Sequence, residues 1–253
     1  MWKKGLVFRA WICVLALAVP AGAQGGDPHP GPPPPPALRR AVSSIVRDQR
    51  AIWTSPARLD RRHAAFWLPA AAATAGLVLS DRSTYRETRQ AFSISTRDGL
   101  NNFSRFASPV YLFALSGGLW LLGRGISEER LERTGVLATR ALVSDLIVVG
   151  ALKVVTGRQR PPTGSFGGPA DGFDGSEQRS FPSGHASAAW AVAAVVSSRH
   201  RQRWVPFVFY GFAGALSLAR VAGGRHFYGD VVAGGLIGYG VGKMVARSAN
   251  GRP

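Results

Sequence analysis

Three short clusters of polar residues interrupt the apolar stretches of this sequence, and they hold the side chains best suited to chemistry. Each cluster combines groups that can bind an anion or transfer a proton. Because arginine is frequent throughout the chain, the order and spacing of these groups carry more information than any single cation. The clusters are Lys153 followed after six residues by Arg160-Pro161, the segment SFPSGH at residues 180–185, and Arg220 followed by His226 and Asp230 after intervals of five and three residues.

The cations of the clusters favour an anionic ligand. Lys153, Arg160 and Arg220 supply three positive charges, and the guanidinium fork matches the geometry of a tetrahedral oxyanion. Ser183 and Gly184 precede an apolar stretch, so we expect them at a helix start, where free backbone N–H groups and the helix dipole attract negative charge. Together these residues predict a cradle for a tetrahedral oxyanion, most simply phosphate.

The two histidines of the clusters supply the reactive groups. Asp230 follows His226 by four residues, and on a helix the two would share a face, so that the carboxylate could hold one ring nitrogen. Such a carboxylate fixes the tautomer and leaves the other nitrogen free to attack phosphorus. With His185 as a general acid, the set predicts a phosphatase that works without a metal cofactor.

Helices must position these residues, because the sequence shows no strand-period alternation. Six apolar stretches rich in Ala, Gly, Val and Leu predict helices whose small side chains permit close packing. In an antiparallel bundle of these helices, the end of the third helix, the start of the fourth helix and the end of the fifth helix lie at the same end of the bundle. We therefore predict an all-α fold, a bundle of about six apolar helices, membrane-embedded or membrane-associated, with the active site at one end. The stretches are residues 64–79, 106–123, 136–155, 186–198, 204–219 and 231–245.

The N-terminal part of the chain divides into segments of different composition. Residues 1–23 match a secretory signal peptide, with basic residues, a short apolar core and an Ala-Gly-Ala ending; the alternative is an uncleaved anchor helix. Residues 24–36 indicate a Pro/Gly-rich linker. Residues 37–63 predict basic amphipathic helix, which either lies on an anionic membrane surface or presents an ordinary solvated face. The phosphatase bundle then occupies residues 64–248.

Hydropathy leaves the relation to the membrane open. The apolar stretches are 13 to 20 residues long, whereas a transmembrane helix needs about 20 apolar residues. If all six span, the arginine-rich segments 37–63, 124–135 and 199–203 share one side, which the positive-inside rule makes cytoplasmic. A cleaved signal would instead place the chain from residue 24 outside. Two locations in the bacterial cell envelope therefore stay open: a membrane protein with a periplasm-facing site, or a soluble or peripheral periplasmic protein.

In this order and spacing the clusters resemble the motifs of the type-2 phosphatidic acid phosphatase family, which shares a superfamily with class A acid phosphatases and vanadium haloperoxidases. The resemblance covers residues 153–230. It implies His226 as the nucleophile of a phosphohistidine intermediate, Asp230 as the group that orients it, and His185 as the proton donor to the leaving oxygen. One position departs from the family pattern, because Ala219 stands where the family has serine. The phosphate-binding residues that the resemblance implies are Lys153, Arg160, Ser183, Gly184 and Arg220.

The charge and composition of the chain argue against several other classes of function. The net charge of +17 favours an anionic partner, but a signal peptide and the lack of an aromatic-rich basic groove argue against nucleic acid. The single cysteine, Cys13, excludes a disulfide framework and a thiolate zinc site, and no metal-ligand motif accompanies the histidines. A vanadium haloperoxidase shares the same cradle, and a non-catalytic cationic membrane binder would need neither histidine.

The substrate is the least determined part of this interpretation. An apolar bundle with its site at one end suits a lipid phosphate whose tail lies along the helices. Candidates are phosphatidic acid, phosphatidylglycerol phosphate, undecaprenyl pyrophosphate and lipid A, and a soluble domain would instead favour small phosphomonoesters. The loop 163–179 is expected to overhang the cradle and to gate it. The sequence carries no signal for an oligomeric state.

Overall fold

The computed structural model describes residues 37–58, 60–161 and 179–249. The predicted signal peptide over residues 1–23 and the linker over residues 24–36 lie outside these ranges. All but the last residue of the loop 163–179 lies outside them as well.

Eight α-helices and two short 3-10 helices account for nearly all of the described residues. The prediction of an all-α fold is confirmed, since the only β-type pairing within the described ranges is an isolated bridge between Gln159 and Arg179. The 3-10 helices are Ser55–Arg58 and Arg105–Ala107. The α-helices are α1 Ala37–Thr54, α2 Arg61–Ala91, α3 Ile94–Ser104, α4 Pro109–Gly125, α5 Glu129–Thr156, α6 Gly184–Arg199, α7 Trp204–Ala222 and α8 Tyr228–Ser248.

Five of the six predicted apolar stretches each lie within one helix, namely α2, α5, α6, α7 and α8, and the stretch 106–123 begins in the second 3-10 helix and continues in α4. The sequence reasoning missed α3, which has no long apolar run. This helix starts at a local signal, because Ser93 caps it by accepting a hydrogen bond from the backbone N–H of Thr96 at 3.2 Å. Another local signal ends α5, where Gly157 adopts the left-handed conformation with φ 57° that glycine tolerates at a helix C-terminus.

Helices α6 and α8 form the tightest contact of the bundle. Gly234, Gly238 and Gly242 recur every four residues on the face of α8 that meets α6. A Cβ atom added at them would lie 2.5, 1.9 and 2.4 Å from backbone carbonyl oxygens of α6 or of its N-cap residue. Only glycine permits so close a backbone approach. The contact sets the N-terminal ends of α6 and α8 side by side, where the backbone N–H of Ser183 donates to the carbonyl of Asp230 at 2.9 Å.

Two charged residues inside the third apolar stretch face the interior of the bundle. Arg140 of α5 pairs with Asp48 of α1 through two hydrogen bonds of 2.5 and 2.6 Å, and Asp145 accepts a hydrogen bond from Ser187 of α6. A buried charge is tolerated when it has such partners. The Arg140–Asp48 pair therefore attaches the basic helix α1 to the bundle.

Within the residues that the structure describes, three helices are long and apolar enough to cross a membrane: α2 over His63–Ala91, α5 and α7. The segments Ile94–Ala107 and Pro109–Gly125, which meet at an angle of 42°, supply a fourth span if they cross together. None of the apolar window of α2 is buried inside the protein. Its outer surface is thus suited to contact with lipid.

Candidate active site

The three polar clusters meet at one end of the bundle. This end gathers the last turns of α5 and α7 and the first turns of α6 and α8. The pKa of His185 is lowered by the nearby charges of Arg220, Arg160 and Lys153, and also by His226. The structure therefore brings together the cations and both histidines. A hydrogen bond to the backbone holds the lysine in place, since the Lys153 Nζ donates to the carbonyl of Arg179 at 2.7 Å.

The second cluster forms the N-terminus of α6, as the sequence indicates. Ser183 is the N-cap residue, and its Oγ accepts a long hydrogen bond of 3.5 Å from the backbone N–H of Ala186. Gly184 and His185 open the helix, which has no acidic residue in its first turn. The positive end of the helix dipole is therefore left for an external anion. A Cβ atom at Gly184 would make only an ordinary contact of 3.6 Å with Val149, so packing within the protein does not require glycine there.

The cations around this helix end are partly or fully buried. Arg220 is 6 % exposed, and its Nη1 donates to the Oγ of Ser104 at 3.2 Å. Lys153 and Arg160 are half-buried. Ala219, the departure from the family pattern, is buried at the end of α7. The hydroxyl that meets Arg220 thus comes from α3, a helix that the sequence reasoning did not foresee.

His226 is not on a helix, which corrects the expected basis of its pairing with Asp230. It lies in the turn between α7 and α8, where its backbone N–H donates to the carbonyl of Arg220 at 3.3 Å. Asp230 lies in the first turn of α8, and its Oδ2 accepts from the backbone N–H of Phe227 at 2.9 Å. This capping contact, and not a shared helical face, brings the Oδ2 to 3.5 Å from the His226 Nδ1.

Asp230 is fully buried and makes more contacts than the sequence predicts. Its Oδ2 also accepts a hydrogen bond from the hydroxyl of Ser180, and its Oδ1 accepts one from the Arg158 Nη1 at 2.8 Å. Sequence reasoning gave no role to Ser180, although it opens the second cluster. It also passed over Arg158, whose only signal was its place two residues before Arg160.

Helix α3 holds the loop that carries His226. The Asn101 Nδ2 donates to the carbonyl of Gly223 at 3.0 Å, three residues before His226. The Asn101 carboxamide occupies the space where a side chain at residue 223 would project, since a Cβ there would lie 2.3 Å from the Asn101 Oδ1. Asn101 and Ser104 therefore connect α3 to the middle of the Arg220–His226 turn and to the side chain of Arg220.

Burial and positive charge keep both site histidines neutral. Burial lowers the pKa of His226 to about 4, with Asp230 opposing the shift and Arg220 and Arg160 adding to it. Burial, and then the charge of Arg220, lowers the pKa of His185 to about 3. Burial alone would raise the pKa of Asp230, but His226, the Arg158 charge and the Ser180 hydroxyl outweigh it, so that pKa is lowered. A neutral imidazole beside an ionised carboxylate is the state that a histidine nucleophile requires.

Comparison with known proteins finds similar sequences and folds. The family model of the PAP2 superfamily matches residues 135–252. A lipid A 1-phosphatase of Porphyromonas gingivalis is 25% identical over 235 residues, which are 92% of this chain and 48% of that protein. The chain thus spans about half the length of this curated relative.

Two solved structures match this chain, and the first of them is similar in fold. The crystal structure of Aquifex aeolicus LpxE matches with a TM-score of 0.52 and 22% identity, covering 66% of this chain and 94% of that one. A PAP2-type phosphatidylglycerolphosphate phosphatase from Bacillus subtilis matches with a TM-score of 0.47 and 19% identity, covering 83% of this chain and 94% of that one.

Proposed function

Since the family model of the PAP2 superfamily matches residues 135–252, we propose that this protein is a metal-independent phosphatase that hydrolyses a phosphate monoester or pyrophosphate on a lipid. The observation that carries the proposal is the pair His226 and Asp230, with 3.5 Å between Nδ1 and Oδ2, placed beside the N-terminus of α6 and a second histidine. Neither a charge-only binding protein nor an ordinary helix cap needs such a pair.

In the proposed reaction the substrate phosphate binds at the start of α6. Lys153, Arg160 and Arg220 neutralise its oxygens, and the Ser183 hydroxyl and the backbone N–H of Gly184 donate hydrogen bonds to it. Fixed cations and dipoles of this kind stabilise the charge of the transition state without having to reorganise.

Nucleophilic attack is assigned to the free ring nitrogen of His226. Asp230 holds the Nδ1–H, so the Nε2 attacks phosphorus while the bond from phosphorus to the leaving oxygen breaks. His185 donates a proton to that oxygen. In the second step His185 takes a proton from water, the water oxygen attacks phosphorus, and the phosphorus–nitrogen bond breaks to release phosphate and neutral His226.

His185 needs a proton that it lacks in the phosphate-free site. Its pKa of about 3 reflects burial and the charge of Arg220 first, with Arg160 and Lys153 acting in the same direction. A bound phosphate dianion balances these cations and favours the protonated ring. In the proposed mechanism, substrate binding is therefore coupled to the protonation of His185, the general acid.

A lipid substrate is supported by the position of the site. The site lies at one end of helices that are long and apolar enough to cross a membrane, so an acyl or prenyl chain can remain among lipids while its phosphate reaches His226. The name of the Porphyromonas gingivalis relative describes an enzyme that acts on a lipid phosphate. We propose the candidates phosphatidic acid, phosphatidylglycerol phosphate, undecaprenyl pyrophosphate and lipid A. Small soluble phosphomonoesters are the alternative.

We propose the bacterial cell envelope as the location, with the active site facing the periplasm. The end of the bundle opposite His226 is rich in arginine, and the positive-inside rule assigns such an end to the cytoplasm. Its arginines are Arg124, Arg130, Arg133, Arg199, Arg201 and Arg203. The division into a signal peptide (1–23), linker (24–36), amphipathic segment (37–63) and phosphatase bundle (64–248) stays a prediction. The N-terminal residue of the mature protein tests the first of these boundaries.

The function is tested by phosphate release from the purified full-length protein in the presence of EDTA. The substrates are phosphatidic acid, phosphatidylglycerol phosphate, undecaprenyl pyrophosphate, lipid A and p-nitrophenyl phosphate, each assayed with wild type, H226A and H63A. His63 is exposed at the start of α2, so H63A is the matched control and should retain full activity. We expect chelator-resistant turnover that H226A abolishes. Turnover that H226A retains removes the nucleophile assignment, and wild type without turnover on any substrate contradicts the proposed function.

A further inference from the structure

Helix α2 carries a buried carboxylate, although few of its side chains are buried. Among its residues whose side chains are described, only Asp81 and Thr88 are buried, and Asp81 is 2 % exposed. The same helix is apolar enough to cross a membrane. An ionisable side chain in such a helix is costly and, as a rule, paired or functional.

Arg158 is the partner of Asp81 and reaches the active site from there. Its Nη2 donates to the Asp81 Oδ2 at 2.5 Å, while its Nη1 donates to the Asp230 Oδ1 at 2.8 Å. The guanidinium carbon lies 4.5 Å from the centre of the Phe227 ring. Asp81 also accepts a 3.4 Å hydrogen bond from the backbone N–H of Gly229. One buried arginine thus bridges two buried carboxylates and stacks on the residue next to His226.

We propose that Asp81 and Arg158 are positioning residues of the active site: Asp81 orients Arg158, and Arg158 orients Asp230 so that its Oδ2 faces the His226 Nδ1. This inference rests on the proposed function. Neither residue is assigned to the substrate, because both Nη atoms of Arg158 donate to carboxylates and Asp81 carries a negative charge like the phosphate. Arginine suits this position, since its planar fork can serve two acceptors at once, which the ammonium of lysine does less well.

The geometry explains how a contact on one side of Asp230 acts on the other. The Asp230 Oδ2 accepts hydrogen bonds from the Ser180 hydroxyl and the Phe227 N–H, and it also faces the His226 ring. Without Arg158 the Oδ1 loses its donor, and the carboxylate is free to rotate away from His226. Asp230 also loses a nearby positive charge, so its negative charge acts more strongly on the imidazole and favours imidazolium.

The other charged groups around His226 and Asp230 do not act through Arg158. Arg220 and Arg160 lower the pKa of His226, and they remain in place when Arg158 is changed. His185 and Lys153 are the further titratable groups that interact with His226 and Asp230. The loss of Arg158 therefore leaves Asp230 less neutralised, and the acid limb of the activity profile moves to higher pH.

A purely structural role makes different predictions. If Asp81 and Arg158 only attach α2 to the bundle, their loss lowers the melting temperature but leaves the pH profile of the surviving folded enzyme unchanged. If they position Asp230, kcat falls while KM stays nearly constant, because the phosphate-binding cations are untouched. The pH profile and the separation of kcat from KM thus distinguish the two roles.

The test uses the full-length variants D81N, R158K, R158Q and D81N/R158Q in detergent, with p-nitrophenyl phosphate and the best lipid substrate. Glu87 is exposed on the same helix, so E87Q is the matched acid-to-amide control. We expect D81N to lower kcat about tenfold, the usual order for a group that orients a reactive residue, with KM changed less than about twofold. R158K should keep the wild-type acid limb but not the full kcat, and E87Q should match wild type.

The double variant tests whether Asp81 acts through Arg158. If it does, D81N adds less than about twofold to the loss already caused by R158Q. The inference is overturned if D81N has wild-type kcat and pH profile, or if D81N keeps its full effect in the R158Q background. Should R158Q fail to fold, D81N against E87Q still decides. Wild type without turnover contradicts the proposed function instead, so the two failures are distinguishable.

Discussion

The Asp230 Oδ2 lies 3.5 Å from the His226 Nδ1, which is beyond the length of a good hydrogen bond, and both side chains are buried. Two other donors already occupy this oxygen, the Ser180 hydroxyl and the Phe227 N–H. Catalytic hydrogen bonds are often long without substrate and tighten in the reacting complex. Positive charge that develops on His226 as it attacks phosphorus is the natural cause of such tightening here.

The first prediction concerns D230N. The amide keeps the shape of the side chain but cannot stabilise a charged imidazole, so kcat should fall about 10²- to 10⁴-fold with a smaller change in KM. Rapid quenching with radiolabelled substrate should show slower formation of a phosphorylated enzyme. A D230N enzyme with wild-type kcat would show that the contact has no part in the reaction.

The second prediction concerns H185A. A general acid matters most when the leaving oxygen is a poor leaving group, so activity on an alkyl phosphate should fall at least about tenfold more than activity on p-nitrophenyl phosphate. The comparison of kcat/KM for the two esters measures this difference. Equal losses on both would remove the assignment of His185 as the proton donor.

The third prediction concerns the protonation of the two histidines. Because the pKa of His226 is about 4 and that of His185 about 3, both rings should stay neutral at pH values well below the ordinary histidine pKa of about 6.5. NMR of histidine-labelled protein, assigned with H226A and H185A, measures this directly. Inorganic phosphate should raise the pKa of His185. Titration of both rings near 6.5, or no response of His185 to phosphate, contradicts the site as described.

The lowered pKa values of His226 and His185 also determine the sign of the pH dependence of stability. The unfolded histidines bind protons below about pH 6.5, whereas the folded ones do so only near 4 and 3, so the free energy of unfolding falls as the pH drops through this window. The melting temperature should decrease on acidification, and less steeply in H226A than in wild type.

The fourth prediction concerns Ser104 and the role of α3 at the cradle. S104A removes the hydroxyl that meets the Arg220 Nη1 at 3.2 Å, so Arg220 is held less firmly. KM and the inhibition constant of inorganic phosphate should rise about two- to tenfold, the equivalent of one hydrogen bond. Ser95 is exposed on the same helix, and S95A serves as the control. An unchanged KM in S104A, or an equal rise in S95A, contradicts a role for α3 in holding Arg220.

The fifth prediction compares two glycines in helices. A Cβ at Gly238 would lie 1.9 Å from the carbonyl oxygen of Ser187, whereas a Cβ at Gly211 meets nothing within 4 Å. G238A should therefore destabilise the protein by about 3 kcal/mol or more through overpacking. G211A should be neutral or stabilise it by up to about 1 kcal/mol. Thermal unfolding in one detergent compares them, and a G238A protein as stable as G211A would refute the close contact of α6 with α8.

Sequence reasoning reached the parts of the site that have local signals. The apolar periods of α5, α6, α7 and α8 predict helices, and the alternation of their directions brings the three clusters to one end. The polar network around Asp230 has no such signal, because Asp81, Arg158 and Ser180 are far apart in the chain and become neighbours only through packing. Helix α3 was missed for a related reason, since its short sequence has no apolar run and is held by contacts to Gly223 and Arg220.

The glycine contact between α6 and α8 has a consequence for how substrate preference can change. The relative position of the anion-binding helix end and of Asp230 is set by backbone atoms alone, through the close approach at Gly234, Gly238 and Gly242 and the hydrogen bond from Ser183 to Asp230. Side chains on α2, α3 and α4 do not enter this contact. Away from Asp81, Asn101 and Ser104, substitutions on those outer helices can therefore alter which phosphorylated molecule is admitted while α6 and α8 keep the reacting groups in place.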